Sequence, residues 1–105
     1  MKIRSIILVL CMVLVAAPAI FAAEDGAALF KAKCAMCHGP SGTGDTPMGK
    51  TLKVKNLSSP DVQKQSDEDL MRTISKGKGK MPPFATKLNE DQIKAVIGHV
   101  RTLGK

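Results

Sequence analysis

Apolar and polar positions divide this chain into an opening apolar run and a longer, mixed remainder. Lys2 and Arg4 precede an unbroken apolar stretch from Ile6 to Val15, followed by the small-residue segment Ala16 to Ala23. Beyond it the apolar positions take a helical period in three places. Asp25 is placed to cap a first helix running to about Lys33, with Gly26 and Phe30 four apart on one face. Ser66-Asp67-Glu68-Asp69 resembles a capping box and opens a second helix through Leu70, Met71 and Ile74, stopping at Gly77. Asn89, with Gln92 at the box position, opens a third, whose stripe is Ile93, Val96, Ile97 and Val100 and whose end is marked by Gly104. Between the first two lies a turn-rich stretch from Gly39 to Gln65, with a short helical turn near Met48–Leu52. No segment alternates with period two, so the expected class is all-α: three main helices plus loops.

The opening run reads as a secretory signal peptide over residues 1–23, cut after Ala22 or Ala23, leaving one domain over residues 24–105. Ala17-Pro18-Ala19 offers a second cleavage pattern. The competing reading is an uncleaved membrane anchor, since the uncharged stretch from Ile6 to Ala23 approaches the ~20 residues that span a bilayer. Pro18 and the Ala-rich second half weigh against it. Cys11 falls inside the leader and lacks the small residue expected before a lipid-modified cysteine.

Composition changes the picture in two ways. Without Lys2 and Arg4 the net charge falls from +7 to +5, still basic. Lys76-Gly77-Lys78-Gly79-Lys80 has no interleaved aromatic residue, so nucleic-acid stacking is unsupported. Phe30 and Phe84 are the only aromatic residues beyond the leader. A chain this small obtains only ~3–5 kcal/mol from its own core and usually adds a staple.

Cys34-Ala35-Met36-Cys37-His38 supplies the staple. C-x-x-C-H reads as c-type haem attachment: each thiol adds across one haem vinyl group, and the adjacent His38 reaches the iron as proximal ligand. A structural zinc site needs two further ligands, and there is no second cysteine pair. A thioredoxin-type dithiol needs a strand–turn–helix setting that this chain does not offer. Around the haem the expected core is Phe30, Phe84, Leu52, Leu57, Leu70, Ile74, Val96, Ile97 and Val100.

With these residues in view, the region from 24 to 105 resembles the class I c-type cytochromes of the short, monohaem, bacterial and photosynthetic kind. The resemblance implies the small cytochrome c fold, with Val96 and His99 packed on Gly26 and Phe30. Met81-Pro82-Pro83-Phe84 resembles the family's distal-ligand loop, making Met81 the second axial ligand and Phe84 a pocket residue. It also implies that the Pro47 carbonyl accepts the ring N–H of His38. Among rival ligands, Met36 lies within the attachment loop, Met48 follows His38 by ten residues, Met71 reads as core filler, and His99 falls on the last helix. A five-coordinate, open iron is the remaining alternative.

The implied function is one-electron transfer between larger redox partners in the periplasm, by a monomer that is not an enzyme and carries one haem c. The alternatives are a cytochrome subunit of a dehydrogenase or reductase complex, and a haem sensor with an open iron. A membrane enters only if the leader is retained. The lysines at positions 31, 33, 50, 53, 55, 76, 78 and 80 suit a donor or acceptor with an acidic docking surface, although scattered lysines also make an ordinary soluble surface.

Overall fold

A computed structural model describes residues 25–105; the leader reading lies outside them. The described chain forms α1 (Gly26–Lys33), α2 (Ala35–His38), α3 (Pro47–Leu52), α4 (Pro60–Gln63), α5 (Asp67–Lys76) and α6 (Glu90–Leu103). There is no strand among the described residues, only an isolated antiparallel bridge between Lys78 and Met81. The three expected helices are α1, α5 and α6, and the turn expected near Met48–Leu52 is α3. The sequence pattern did not reveal α2 or α4.

Local chemistry sets the helix starts. The Asp25 carboxylate accepts from the Ala27 amide at 3.0 Å. Ser66 Oγ accepts from the Asp69 amide at 3.1 Å, the first of the two bonds of a capping box. Asn89 and Gln92 complete theirs, each side chain pairing with the other's backbone amide at 2.8 Å. These caps satisfy N–H groups that the first helical turn leaves without partners.

The core joins α1, α4, α5, α6 and the loop before α6 through Phe30, Val62, Leu70, Phe84, Leu88, Ile93, Val96, Ile97 and Val100. Leu52, Leu57 and Ile74, expected in the core, are half-buried; Val62, Leu88 and Ile93 are fully in it. The Phe30 ring meets the His99 ring at 4.9 Å between centroids, tilted by 49°. Gly26 lies directly against the α6 backbone, where a methyl group would fall on the Ala95 carbonyl. Away from this crossing, the Arg101 guanidinium gathers the Gln63 carbonyl (2.8 Å), the Gln65 carbonyl (2.6 Å) and Asp67 Oδ1 (2.8 Å). Gln63 Nε2 in turn donates to the carbonyls of Leu57 (2.8 Å) and Val100 (2.9 Å). Those bonds anchor the long loop on α6.

Two glycines make opposite predictions. Gly26→Ala places its methyl against backbone that cannot step aside, and should destabilise at the top of the ~1–3 kcal/mol range for overpacking. Gly98, within α6, has no atom within 4 Å of where a Cβ would stand. Gly98→Ala should therefore stabilise by about 0.4–1 kcal/mol, raising the thermal midpoint by a few degrees. Thermal unfolding of the two variants beside the parent checks both signs.

Candidate functional site

The attachment motif begins where α1 ends. Cys34 (φ −118°, ψ −31°) closes α1, its amide donating to the Phe30 carbonyl at 2.8 Å, and α2 starts at the next residue. The amides of Cys37 and His38 both reach back to the Cys34 carbonyl, at 3.3 and 3.0 Å. This single turn places positions 34, 37 and 38 on neighbouring sites of one helical face. Both thiols are free and half-buried. Burial, and then the neighbouring Cys37, push the Cys34 thiol up to about 11. With nothing bound to it, Cys34 is therefore a neutral thiol at pH 7. The described residues contain no group of three or more His, Cys, Asp or Glu side chains able to hold a metal ion.

His38 is held with one ring nitrogen unsatisfied. Its Nδ1 is buried without a hydrogen-bond partner. Burial pulls its pKa below the ordinary histidine value, while the backbone of Lys55 raises it. The sign is clear: a neutral imidazole, the ligating form, is favoured in the fold. Pro47, expected to supply the acceptor for His38, instead heads α3, and its carbonyl accepts from Thr51 Oγ1 at 2.9 Å. The backbone that bears on the His38 ring belongs to Lys55, brought back after the left-handed turn at Lys53 (φ 55°). A carbonyl has two lone pairs, so the bond from Thr51 leaves that of Pro47 able to accept a second.

Met81 arrives from the other side of the sequence on a loop fixed by backbone bonds. Lys78 and Met81 exchange amide-to-carbonyl bonds of 3.1 and 3.0 Å around Gly79. The amides of Phe84 and Ala85 donate to the carbonyls of Ile74 (2.9 Å) and Ser75 (3.1 Å), tying the loop onto α5. Gly77 (φ 75°) sits beneath it, and a Cβ there would press on the Met81 carbonyl and on Pro82 and Pro83. The Met81 side chain is half-buried against the core. Phe84 is part of that core, with the Lys87 ammonium 5.4 Å from its ring centre.

The other candidate ligands are placed differently. Met36 is 78 % exposed and Met48 45 % exposed. Met71 packs on the core from within α5, and His99 against Phe30.

Cys34 and Met81, 47 positions apart, thus pack against one buried cluster. Two half-buried thiols, an imidazole with an orphaned nitrogen and a thioether are the donor set of a haem c site, and half-buried Leu52, Val54, Leu57 and Ile74 are apolar residues left for such a group to cover. The residues fit the group. Lys55 could not have been found from the sequence, because only the closure of the loop over residues 39–65 brings its backbone to His38.

Comparison with known proteins agrees with this chemistry. The family model described as cytochrome c oxidase, cbb3-type, subunit III matches residues 21–100. Cytochrome c6 of Microcystis aeruginosa is 38% identical over 76 residues, covering 72% of this chain and 90% of that protein. The cbb3-type cytochrome c oxidase subunit FixP of Azorhizobium caulinodans is 38% identical over 85 residues, covering 79% of this chain and 28% of that protein. Among solved structures, the KustC0563 c-type cytochrome superposes with a TM-score of 0.71 at 34% identity, covering 77% of this chain and 99% of that one.

Proposed function

Since the chain belongs to the c-type cytochrome family, with one covalently bound haem c and single-electron transfer as its function, we propose that it is an exported, diffusible carrier whose haem is attached at Cys34 and Cys37. His38 and Met81 would hold its iron in this reading. When bound, the haem supplies an iron that takes up and gives back one electron. The residues of the chain do the rest. Cys34 and Cys37 would hold the haem through thioethers, each S–H adding across one vinyl group, an addition that would need no oxidant. His38 offers a neutral ring nitrogen. The thioether of Met81, a soft donor, favours the ferrous state and raises the potential. Pro82 and Pro83 restrict the backbone that carries it. The packed loops around both ligands limit rearrangement between oxidation states.

The observation that supports this most directly is that Cys34 and Met81 pack against one core while the adjacent motif residue His38 holds a buried ring nitrogen with no partner. Absorption spectra of the purified protein in both oxidation states test it, with carbon monoxide added to the reduced form. A covalent low-spin haem that does not take up carbon monoxide is expected. Colourless, compact protein overturns the proposal, and prompt carbon monoxide binding removes Met81 from it. The cbb3 family match and FixP favour a second reading, a cytochrome subunit of an oxidase complex. Co-purification with a catalytic subunit distinguishes it from a free carrier.

Partner choice follows from the exposed lysines. Lys31, Lys33, Lys50, Lys53 and Lys55 flank the attachment motif in sequence, and Lys76, Lys78 and Lys80 lead into Met81; all are exposed. Among the described residues Lys50 pairs with Asp45 at 3.1 Å, and the other seven have no ion-pair partner there. Encounter with an acidic partner should be steered by this positive surface. Its bimolecular rate should fall by about tenfold or more between 10 and 150 mM salt, as the Debye length shrinks from about 30 to 8 Å. Stopped-flow electron transfer measures it, and a salt-independent rate removes electrostatic docking.

A further inference from the structure

Helix α2 is one turn long and its last residue is the iron ligand, so its C-terminal carbonyls have little helix to bond to. The structure shows what they bond to instead. The Ala35 carbonyl accepts from the Gly39 amide at 2.9 Å, and the His38 carbonyl from the Gly44 amide at 2.7 Å. Between them, the Cys37 carbonyl accepts from the hydroxyl of Thr46 at 2.9 Å. That hydroxyl has a second task, because Thr46 is the N-cap of α3 and its Oγ1 accepts from the Gly49 amide at 2.8 Å. There is no slack at this joint. A Cβ on Gly49 would fall on the Cys37 carbonyl, so the backbones of α2 and α3 meet directly. One half-buried hydroxyl therefore accepts a hydrogen bond from one helix and donates one to the other.

We propose that Thr46 is the positioning residue for His38: by donating to the Cys37 carbonyl while capping α3, its hydroxyl locks the end of α2 and with it the direction in which the imidazole is presented. This rests on the reading of His38 as iron ligand. The donor half of the role is the part that matters. Without it the Cys37 carbonyl loses its partner at a site too tight for another, and the single turn of α2 is released one residue before His38.

Three variants of the haem-loaded full chain separate the two halves of the role. Thr46→Ser keeps donor and acceptor. Thr46→Val is close in shape and keeps neither. Thr46→Asp caps a helix well but, as a carboxylate, only accepts. Two measurements read them: the pattern of haem-methyl proton shifts in the ferric protein, which follows the orientation of the axial imidazole, and amide hydrogen exchange at Gly49 and Gly44. Gly49 reports the cap, and Gly44 reports the His38 carbonyl. Thr46→Ser should match the parent. Thr46→Val should alter the methyl pattern and speed exchange about tenfold at both glycines. Thr46→Asp should alter the pattern and speed Gly44 while leaving Gly49 protected.

An unchanged methyl pattern with Gly44 still protected, in either Thr46→Val or Thr46→Asp, reduces Thr46 to a helix cap and overturns the proposal. Should neither of these variants yield loaded protein while Thr46→Ser does, the donor is required for the site to form, which supports it; equal loss in Thr46→Ser overturns it. Failure of the haem reading is visible separately, since the parent protein would then show no haem c spectrum.

Discussion

Cys34→Ala combined with Cys37→Ala should leave a chain with no cooperative thermal transition at ordinary temperatures. The described core has nine buried side chains, and Phe30 and Phe84 are its only aromatic members. A core of that size contributes about 3–5 kcal/mol, close to the lower limit at which a small domain stays folded. Meanwhile Leu52, Leu57, Met71, Ile74 and Met81 remain half-buried, so apolar surface is in place for a haem to cover. Losing the thioethers lets the haem dissociate, and its binding free energy then no longer favours the folded state. Scanning calorimetry of the double variant against the parent reads the result. A sharp transition in the haem-free chain would show that the helices form their own centre. Each single cysteine variant retains one thioether and should fall between the two.

What was legible in the sequence were features that are local or periodic. Asn89 with Gln92, the stripe from Ile93 to Val100 and Gly104 define α6 at both ends, because cap, period and stop agree. Gly26 and Phe30 share a face of α1, the resemblance assigned them to the α6 contact, and the structure places them against Ala95 and His99. Short elements were not legible in this way. At four residues, α2 is too brief to show a period, and it became a helix through its bonds to Cys34 and the following loop. Helix α4 carried a local signal that the turn-rich context obscured, Ser59 before Pro60 at its first position. Val62 and Leu88 stand alone among polar residues, and only chain closure shows them to be core.

The site divides the same way. The contiguous residues Cys34, Cys37 and His38 declare their chemistry in five positions. What surrounds His38 depends on which loop folds back over it, so Thr46 and Lys55 emerge only in three dimensions. Thr46-Pro47 is a local signal for the start of α3, a cap followed by a favoured first helical residue.

Met81→Ala should keep the haem attached and open its iron. The two thioethers lie elsewhere in the chain, so loading should persist. The loop should also persist, because it is held by backbone bonds that alanine retains: Lys78 with Met81, Phe84 with Ile74, and Ala85 with Ser75. The lost packing of a half-buried methionine should cost about 1–2 kcal/mol, less than the ~2–5 of a fully buried one. The electronic change should be much larger. Without the thioether the ferrous state loses its soft ligand, and the potential should fall by on the order of 0.1 V within the ~0.8 V that axial ligands span. Reduced variant should take up carbon monoxide on mixing, and the parent should not. Met71→Ala is the matched control, since Met71 also packs on the core but is carried by α5; it should stay closed to carbon monoxide. Gly77→Ala gives the converse test. It keeps the sulfur, but its methyl presses on the Met81 carbonyl and the two prolines, so the loop must move. If the position of the loop presents the ligand, Gly77→Ala should open the iron as Met81→Ala does, with every methionine still present. A Met81→Ala protein that stays closed to carbon monoxide, with its potential unchanged, would pass the ligand role to another residue.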